Sequence, residues 1–188
     1  MKGFFICVII GLLTSVNTFF GYLFSLYDRK ICFGIQSVLC LLDLSFWAFF
    51  FFKLLPEKRI KIIVGIIFIF FLASAILLLY INGILAPNLQ VRAIANVCKT
   101  IFCVFFYSAL FKKMSSQKIL DEPSFWIVTG LIFHSCISIP FYALGSYIKQ
   151  QFPLAIADNI FSTANMAIII MYFFFIKANL CKIQPHKV

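Results

Sequence analysis

Six apolar runs in the chain have the length that a helix needs to cross a lipid bilayer. A transmembrane helix takes about 20 predominantly apolar residues, and the runs are Phe4–Leu26, Ile31–Phe52, Ile60–Ile81, Ile94–Phe111, Phe125–Leu144 and Leu154–Ile176. The fourth run is the shortest and is interrupted by Lys99. The connections between the runs hold the proline, glycine and charged residues that end helices. The sequence therefore predicts one all-α integral membrane domain over residues 1–188, a polytopic bundle of about six transmembrane helices.

Composition excludes an ordinary soluble domain. Hydrophobic residues make up 63% of the chain and charged residues 12%, with a mean hydropathy of +1.06, whereas soluble domains are about half apolar and a quarter charged. The net charge of +10 does not indicate nucleic acid, because the basic residues lie at the ends of apolar runs, as in membrane proteins. The seven cysteines form no C-x-x-C or other metal-binding spacing. We therefore expect the lipid bilayer as a partner, no nucleic acid, no metal and no cofactor.

The distribution of lysine and arginine predicts the orientation. Basic residues concentrate on the cytoplasmic side of membrane proteins. With six spans, one side holds eleven of the sixteen basic residues: Lys2, Lys53, Lys58, Arg59, Lys61, Lys112, Lys113, Lys118, Lys177, Lys182 and Lys187. Both termini are therefore predicted to be cytoplasmic.

Polar side chains recur at helical spacing inside five of the runs. The second run carries Gln36, Cys40, Asp43 and Trp47 at spacings of four, three and four, which is one face of a helix. Comparable groups occur in the other four runs: Thr14, Asn17, Thr18 and Gly21; Asn96, Lys99, Thr100 and Cys103; Gly130, His134 and Ser138; Asp158, Ser162 and Asn165. The third run has no such group, and we expect its helix to face lipid at the periphery. Polar residues within spans usually face the bundle interior.

Counting from the predicted helix ends places four of these side chains near the bilayer midplane. They are Asn17, Asp43, His134 and Asn165, while Lys99 is predicted nearer the outer face. With Lys99 and Asn96 they form a candidate polar pocket, and none is predicted to be catalytic.

Each pocket residue also has a simpler role open to it. The asparagines can make hydrogen bonds that pack helices together, and Lys99 can extend its ammonium toward the headgroups. Asp43 can pair with Lys99 or His134, and His134 can be a hydrogen-bonded core histidine. Asp158, at the start of the sixth run, fits a helix cap.

Three segments carry a family resemblance. "EPSFWIVTGLIFHS" resembles the P-x-F-W-I-x-x-G segment of small orphan bacterial membrane proteins, whose relatives include the membrane-embedded input region of some sensor histidine kinases. "SVLCLLDLSFWAFFFFKLL" and "ANMAIIIMYFFFIKANLCK" are similar to two further helices of that family, with the acidic residue at Asp43 and the asparagine at Asn165. The chain has His134 where the family is expected to have tyrosine. The resemblance implies a sensing role in a bacterial inner membrane. Because we expect no output domain in this chain, such a role requires a membrane or cytoplasmic signalling partner protein.

The sequence thus leaves three function classes open. The first is a non-enzymatic sensing or accessory module with a midplane polar pocket. The second is a small proton-coupled or solute transporter, since such proteins use ionisable groups at midplane depth. The third is an intramembrane lipid hydrolase with Asp43 and His134 as an acid–base pair, which ranks last because no H-E-x-x-H or G-x-S-x-G motif supports it.

Overall fold

The computed structural model describes residues 29–86, 88–113 and 119–181, with the side chains of residues 33–86, 88–112, 119–148, 150–153, 156 and 166–181. These residues form six helices and no strand, and the helices are α1 Arg29–Leu54, α2 Lys58–Asn82, α3 Leu89–Lys113, α4 Pro123–Ala143, α5 Gly145–Gln151 and α6 Leu154–Leu180. α1 from Phe33, α2, α3 as far as Lys112, and α4 are each long and apolar enough to cross a membrane. α6 contributes a further apolar stretch, Met166–Leu180. The molecule is an all-helical membrane bundle.

Four of the six predicted spans correspond to these four membrane-length helices, and the sixth corresponds to α6. The first predicted span, Phe4–Leu26, lies outside the described residues, and so do both chain termini. The cytoplasmic placement of the termini therefore stays a prediction, as does the single domain over residues 1–188.

The predicted start of one span is wrong, and one predicted connection contains a short helix. The fourth run was expected to begin at Ile94, but α3 begins at Leu89, because Arg92 has polar contacts of its own within the bundle. The segment "GSYIKQQFP" connects α4 to α6 as predicted, and Gly145–Gln151 within it forms the short helix α5. Its first turn is closed by the Ile148 N–H, which donates to the Leu144 carbonyl at 2.9 Å. Hydrogen bonds within the segment satisfy backbone groups that would otherwise be costly near lipid.

Side-chain contacts define the direction of each helix. α1 and α3 are parallel, since Gln36 contacts Arg92 near their N-terminal ends and the ring of Phe51 packs against that of Phe102 further along both. α4 runs antiparallel to α3: Thr129 meets Tyr107 near one end, and Tyr142 meets Arg92 near the other. α4 makes its most extensive contacts with α6 and α3. α2 packs mainly against α1 and α3.

Aromatic side chains fill the interface between α1, α3 and α6. Phe51 and Phe102 are fully buried with their ring centroids 5.7 Å apart. The indole of Trp47 lies between Phe50 on its own helix and Phe175 of α6. Most of α2 is exposed instead: its large apolar side chains, including Ile66, Ile69, Phe70 and Tyr80, point away from the bundle. This placement agrees with the peripheral position predicted from its lack of polar residues.

Basic residues collect at one end of the bundle. Because α1 and α3 are parallel, their C-terminal residues Lys53 and Lys112 lie at the same end as the N-terminus of α2 with Lys58 and Arg59. Lys177 joins them, with its ammonium 5.7 Å from the ring centre of Trp126 at the start of α4. The structure therefore shows the asymmetry of charge on which the predicted orientation depends.

The α3–α4 contact supplies a first test of the fold. Thr129 donates its hydroxyl hydrogen to the Phe125 carbonyl at 2.7 Å, so Tyr107 donates the 2.7 Å bond between the two hydroxyls. Interhelical hydrogen bonds in membrane proteins contribute about 0.6 kcal/mol on average. We expect Tyr107→Phe to lower the free energy of unfolding by about that amount, measured by denaturant unfolding in detergent. Tyr80→Phe on the exposed face of α2 is the control, and an equal effect of the two would contradict this contact.

Candidate functional site

An ion pair inside the bundle joins α1 to α3. The Lys99 ammonium donates to Asp43 Oδ2 at 2.9 Å, and the side chains are 6% and 17% exposed, respectively. Asp43 lies near the middle of the span Phe33–Leu54, and Lys99 lies near the middle of Leu89–Lys112. A charge at this depth is costly unless it is paired. Lys99 therefore does not extend toward the headgroups as one interpretation of the sequence had it, and the earlier start of α3 explains why it lies deeper than predicted.

Trp47 is a second hydrogen-bond donor to the Asp43 carboxylate. Its indole Nε1–H donates to Asp43 Oδ1 at 3.0 Å, so each carboxylate oxygen accepts one hydrogen bond. The spacing of four residues places the indole one helical turn beyond Asp43 on the same face of α1. The ring is buried against Phe50 and Phe175, which fixes the direction of the N–H. The carboxylate thus has a preorganised position between α1 and α3.

The Trp47 bond supports a second prediction. Trp47→Phe keeps an aromatic ring against its neighbours but removes the donor, and hydrogen bonds to charged groups contribute about 1.5–3 kcal/mol. We expect a loss of unfolding free energy in that range, measured by denaturant titration in detergent. Trp126→Phe is the matched control, because Trp126 Nε1 donates to a neutral acceptor, the Leu120 carbonyl, and such bonds contribute about 0.5–1.5 kcal/mol. Equal losses of unfolding free energy in the two variants would show that the charge on Asp43 does not strengthen its hydrogen bond with Trp47.

A second polar contact joins α1 to α3 about two helical turns from the Asp43–Lys99 ion pair. Arg92 donates to Gln36 Oε1 at 2.6 Å, and its guanidinium carbon lies 5.7 Å from the centre of the Tyr142 ring. Gln36 and Asp43 are seven residues apart, as are Arg92 and Lys99. A seven-residue interval returns to nearly the same face of a helix. The parallel helices α1 and α3 therefore share a ladder of two polar contacts in one register.

The sequence predicts the α1 side of this ladder but not the whole α3 side. Gln36 and Asp43 were predicted to share one helical face, and the pairing of Asp43 with Lys99 was one of the alternatives left open. Arg92 precedes the fourth run, which begins at Ile94, so the sequence places it in a connection between spans. The heptad interval between Arg92 and Lys99, matching that of the acceptors on α1, was the signal that could have identified it.

His134 lies at the level of the ion pair without joining it by a direct hydrogen bond. It is near the middle of α4, and the antiparallel packing of α4 on α3 places that segment opposite Lys99. Its Nδ1 atom is buried and has no hydrogen-bond partner among the residues that the structure describes. The pairing of Asp43 with His134, which the sequence left open, is therefore absent from the described residues, where Asp43 bonds to Trp47 and Lys99 instead.

The other predicted pocket residues are placed as follows. Asn96 is buried on α3 one turn before Lys99, and its backbone carbonyl accepts a bond from the Thr100 hydroxyl. Asn17 lies outside the described residues, and so does the side chain of Asn165 on α6. The structure thus brings Asp43, Lys99, Asn96 and His134 to one region, and the placement of the two remaining asparagines stays a prediction. Within the described ranges, no group of three His, Cys, Asp or Glu side chains could hold a metal ion.

Comparison of the chain with protein-family models, with curated proteins and with solved structures finds no match. The resemblance to the input regions of sensor kinases therefore stays a prediction. Membrane localisation is supported by the apolar helices themselves.

Proposed function

We propose that this membrane protein is a non-enzymatic sensing or accessory module that works through the Asp43–Lys99 ion pair. The observation that carries the proposal is the burial of this pair between two parallel helices. A buried ion pair often stabilises a protein less than apolar residues of the same shape would, and its best-attested use is to fix register or act as a switch. A pair that is either closed or open gives α1 and α3 two discrete arrangements, which signalling requires.

The basic end of the bundle supplies the proposed output surface. Lys53, Lys58, Arg59 and Lys112 lie at the C-terminal ends of α1 and α3 and at the start of α2. A change in how α1 and α3 meet at the ion pair therefore reaches this surface through two continuous helices. A membrane or cytoplasmic signalling partner with an acidic face would fit it, and the resemblance to sensor input regions points in the same direction.

Partner capture tests this proposal. A tagged chain would be purified from native membranes in mild detergent after brief crosslinking, with Asp43→Asn and Ser45→Ala compared with the wild type. Ser45 lies on α1 near Asp43 and bonds only to the Leu41 carbonyl of its own helix, so Ser45→Ala controls for a change on α1. We expect to recover one stoichiometric partner protein with the wild type and with Ser45→Ala. With Asp43→Asn, we expect the amount of recovered partner to change. Recovery of the chain alone, in all three, would contradict the proposal.

The surroundings of His134 favour a second candidate, a proton-coupled transporter. A titratable ring with a free nitrogen beside a buried carboxylate and ammonium is an arrangement used in proton relays. Proton-driven uptake of a solute into proteoliposomes, abolished by Asp43→Asn and by His134→Ala, would establish transport. Absence of uptake across a broad panel of solutes, with folded protein, would leave the sensing proposal.

A further inference from the structure

Two buried serines on α4 lack the local hydrogen bond that five other hydroxyls of the bundle make. Ser135 and Ser138 are 0% exposed, and their hydroxyl oxygens have no hydrogen-bond partner among the described residues. Serine and threonine inside helices can donate to the carbonyl four residues earlier. Five other side chains of this structure do so: Ser37, Ser45, Ser74, Thr100 and Thr129. The backbone therefore does not prevent such bonds in this bundle, and the hydroxyls of Ser135 and Ser138 are directed elsewhere.

The antiparallel contact of α3 with α4 places these hydroxyls at the level of Lys99. Tyr107 meets Thr129 toward one end of the interface, and Arg92 meets Tyr142 toward the other. Lys99 lies about midway between Tyr107 and Arg92, so it lies opposite the middle of the segment from Thr129 to Tyr142. That is the level of His134, Ser135 and Ser138.

Lys99 has capacity for more hydrogen bonds at this level. An ammonium carries three donors, and one of them reaches Asp43. At the same level along α4 are the acceptor-capable Nδ1 of His134 and the two serine oxygens, all of them buried. A buried polar group whose hydrogen bond is left unmade destabilises the folded protein. The net charge of the pair is zero, so a small neutral polar molecule fits better than an anion.

We propose that the α3–α4 interface holds an internal hydration site, with water bridging Lys99, His134, Ser135 and Ser138. Buried waters typically make about three hydrogen bonds to otherwise unsatisfied polar groups. Water can donate to Nδ1 and accept from the ammonium and the hydroxyls, which matches this mixture of donors and acceptors. The site connects His134 to the ion pair at the middle of the bundle, and it does not depend on the proposed sensing role.

Water-edited solid-state NMR in lipid bilayers tests the site directly. The chain has two histidines, so His186→Gln leaves His134 as the single ¹⁵N-histidine signal. We expect magnetisation to pass from water to the His134 ring, and to fall at least about twofold in Ser135→Ala/Ser138→Ala if the water depends on both hydroxyls. Ser45→Ala is the control and should leave the transfer unchanged.

The possible results separate the alternatives. No transfer to the ring in the parent protein would overturn the hydration site, as would transfer that is unchanged by folded Ser135→Ala/Ser138→Ala. If that double variant does not fold, Ser138→Ala alone is measured, and it should still reduce the transfer. Thermal stability gives a second readout: loss of bridged hydroxyls lowers the melting temperature, whereas loss of unsatisfied ones leaves it unchanged or raises it.

Discussion

Replacing Asp43 by asparagine is expected to destabilise the bundle more than any other single change in the polar ladder. Asparagine has nearly the same shape and can still accept the hydrogen bond of Trp47, so the change removes little except the charge. Lys99, which is 5% exposed, would then be a buried cation without a counter-ion. Breaking a buried pair by removal of one partner costs about 3–5 kcal/mol, and we expect a loss of unfolding free energy in that range.

Equilibrium unfolding in detergent measures this loss. Ser45→Ala on the same helix is the reference, because the side chain it removes bonds to the local backbone rather than to another helix. We also expect Asp43→Asn to loosen the contact of α1 with α3 and to leave the α4–α6 interface intact. An unfolding free energy equal to that of Ser45→Ala would show that the ion pair does not hold these helices together.

Replacing Gly130 by alanine is the second change for which we expect a large effect. Gly130 lies where α4 crosses α6, and a Cβ atom added to it would lie 2.9 Å from the Phe174 Cβ and 3.0 Å from the Met171 carbonyl oxygen. Both atoms belong to positions fixed by the backbone of α6, so the helices themselves must separate. Small residues allow such close approach in membrane bundles, and overpacking typically costs about 1–3 kcal/mol.

Gly65→Ala on α2 is the matched control. Its added Cβ would meet only the ring of Phe52 at 3.4 Å, an ordinary contact with a side chain that can move. Alanine is the better helix former by about 0.5–1 kcal/mol, so Gly65→Ala should be neutral or stabilising. The comparison uses unfolding free energies of the two variants in the same detergent. Similar values for both would contradict the close crossing of α4 and α6.

Gly130 also shows what a polar pattern in the sequence leaves undetermined. The sequence grouped it with His134 and Ser138 because the three share helical spacing. The structure separates their roles: Gly130 allows the approach of α6, whereas His134 and Ser138 lie at the level of Lys99. A spacing identifies a shared face of one helix, but which neighbour packs on each part of that face depends on the tertiary arrangement.

The helices themselves were largely predictable because length and apolarity suffice to mark a span. The start of α3 was not, because Arg92 interrupts the apolar pattern and its partners, Gln36 and Tyr142, are distant in the sequence. Likewise, Asp43 and Lys99 were each recognisable as unusual at their depth, but their pairing depends on the parallel packing of α1 and α3. Nothing local to either residue specifies that packing.

The most direct test of the central claim is a double-mutant cycle on Asp43 and Lys99. Unfolding free energies would be measured for the wild type, Asp43→Asn, Lys99→Met and the double variant in one detergent. If the buried pair joins α1 to α3, each single change leaves a charge unpaired, while the double change leaves none, and we predict a coupling energy of at least about 2 kcal/mol. Effects that add to within about 0.5 kcal/mol would contradict the ion pair and, with it, the proposed switch.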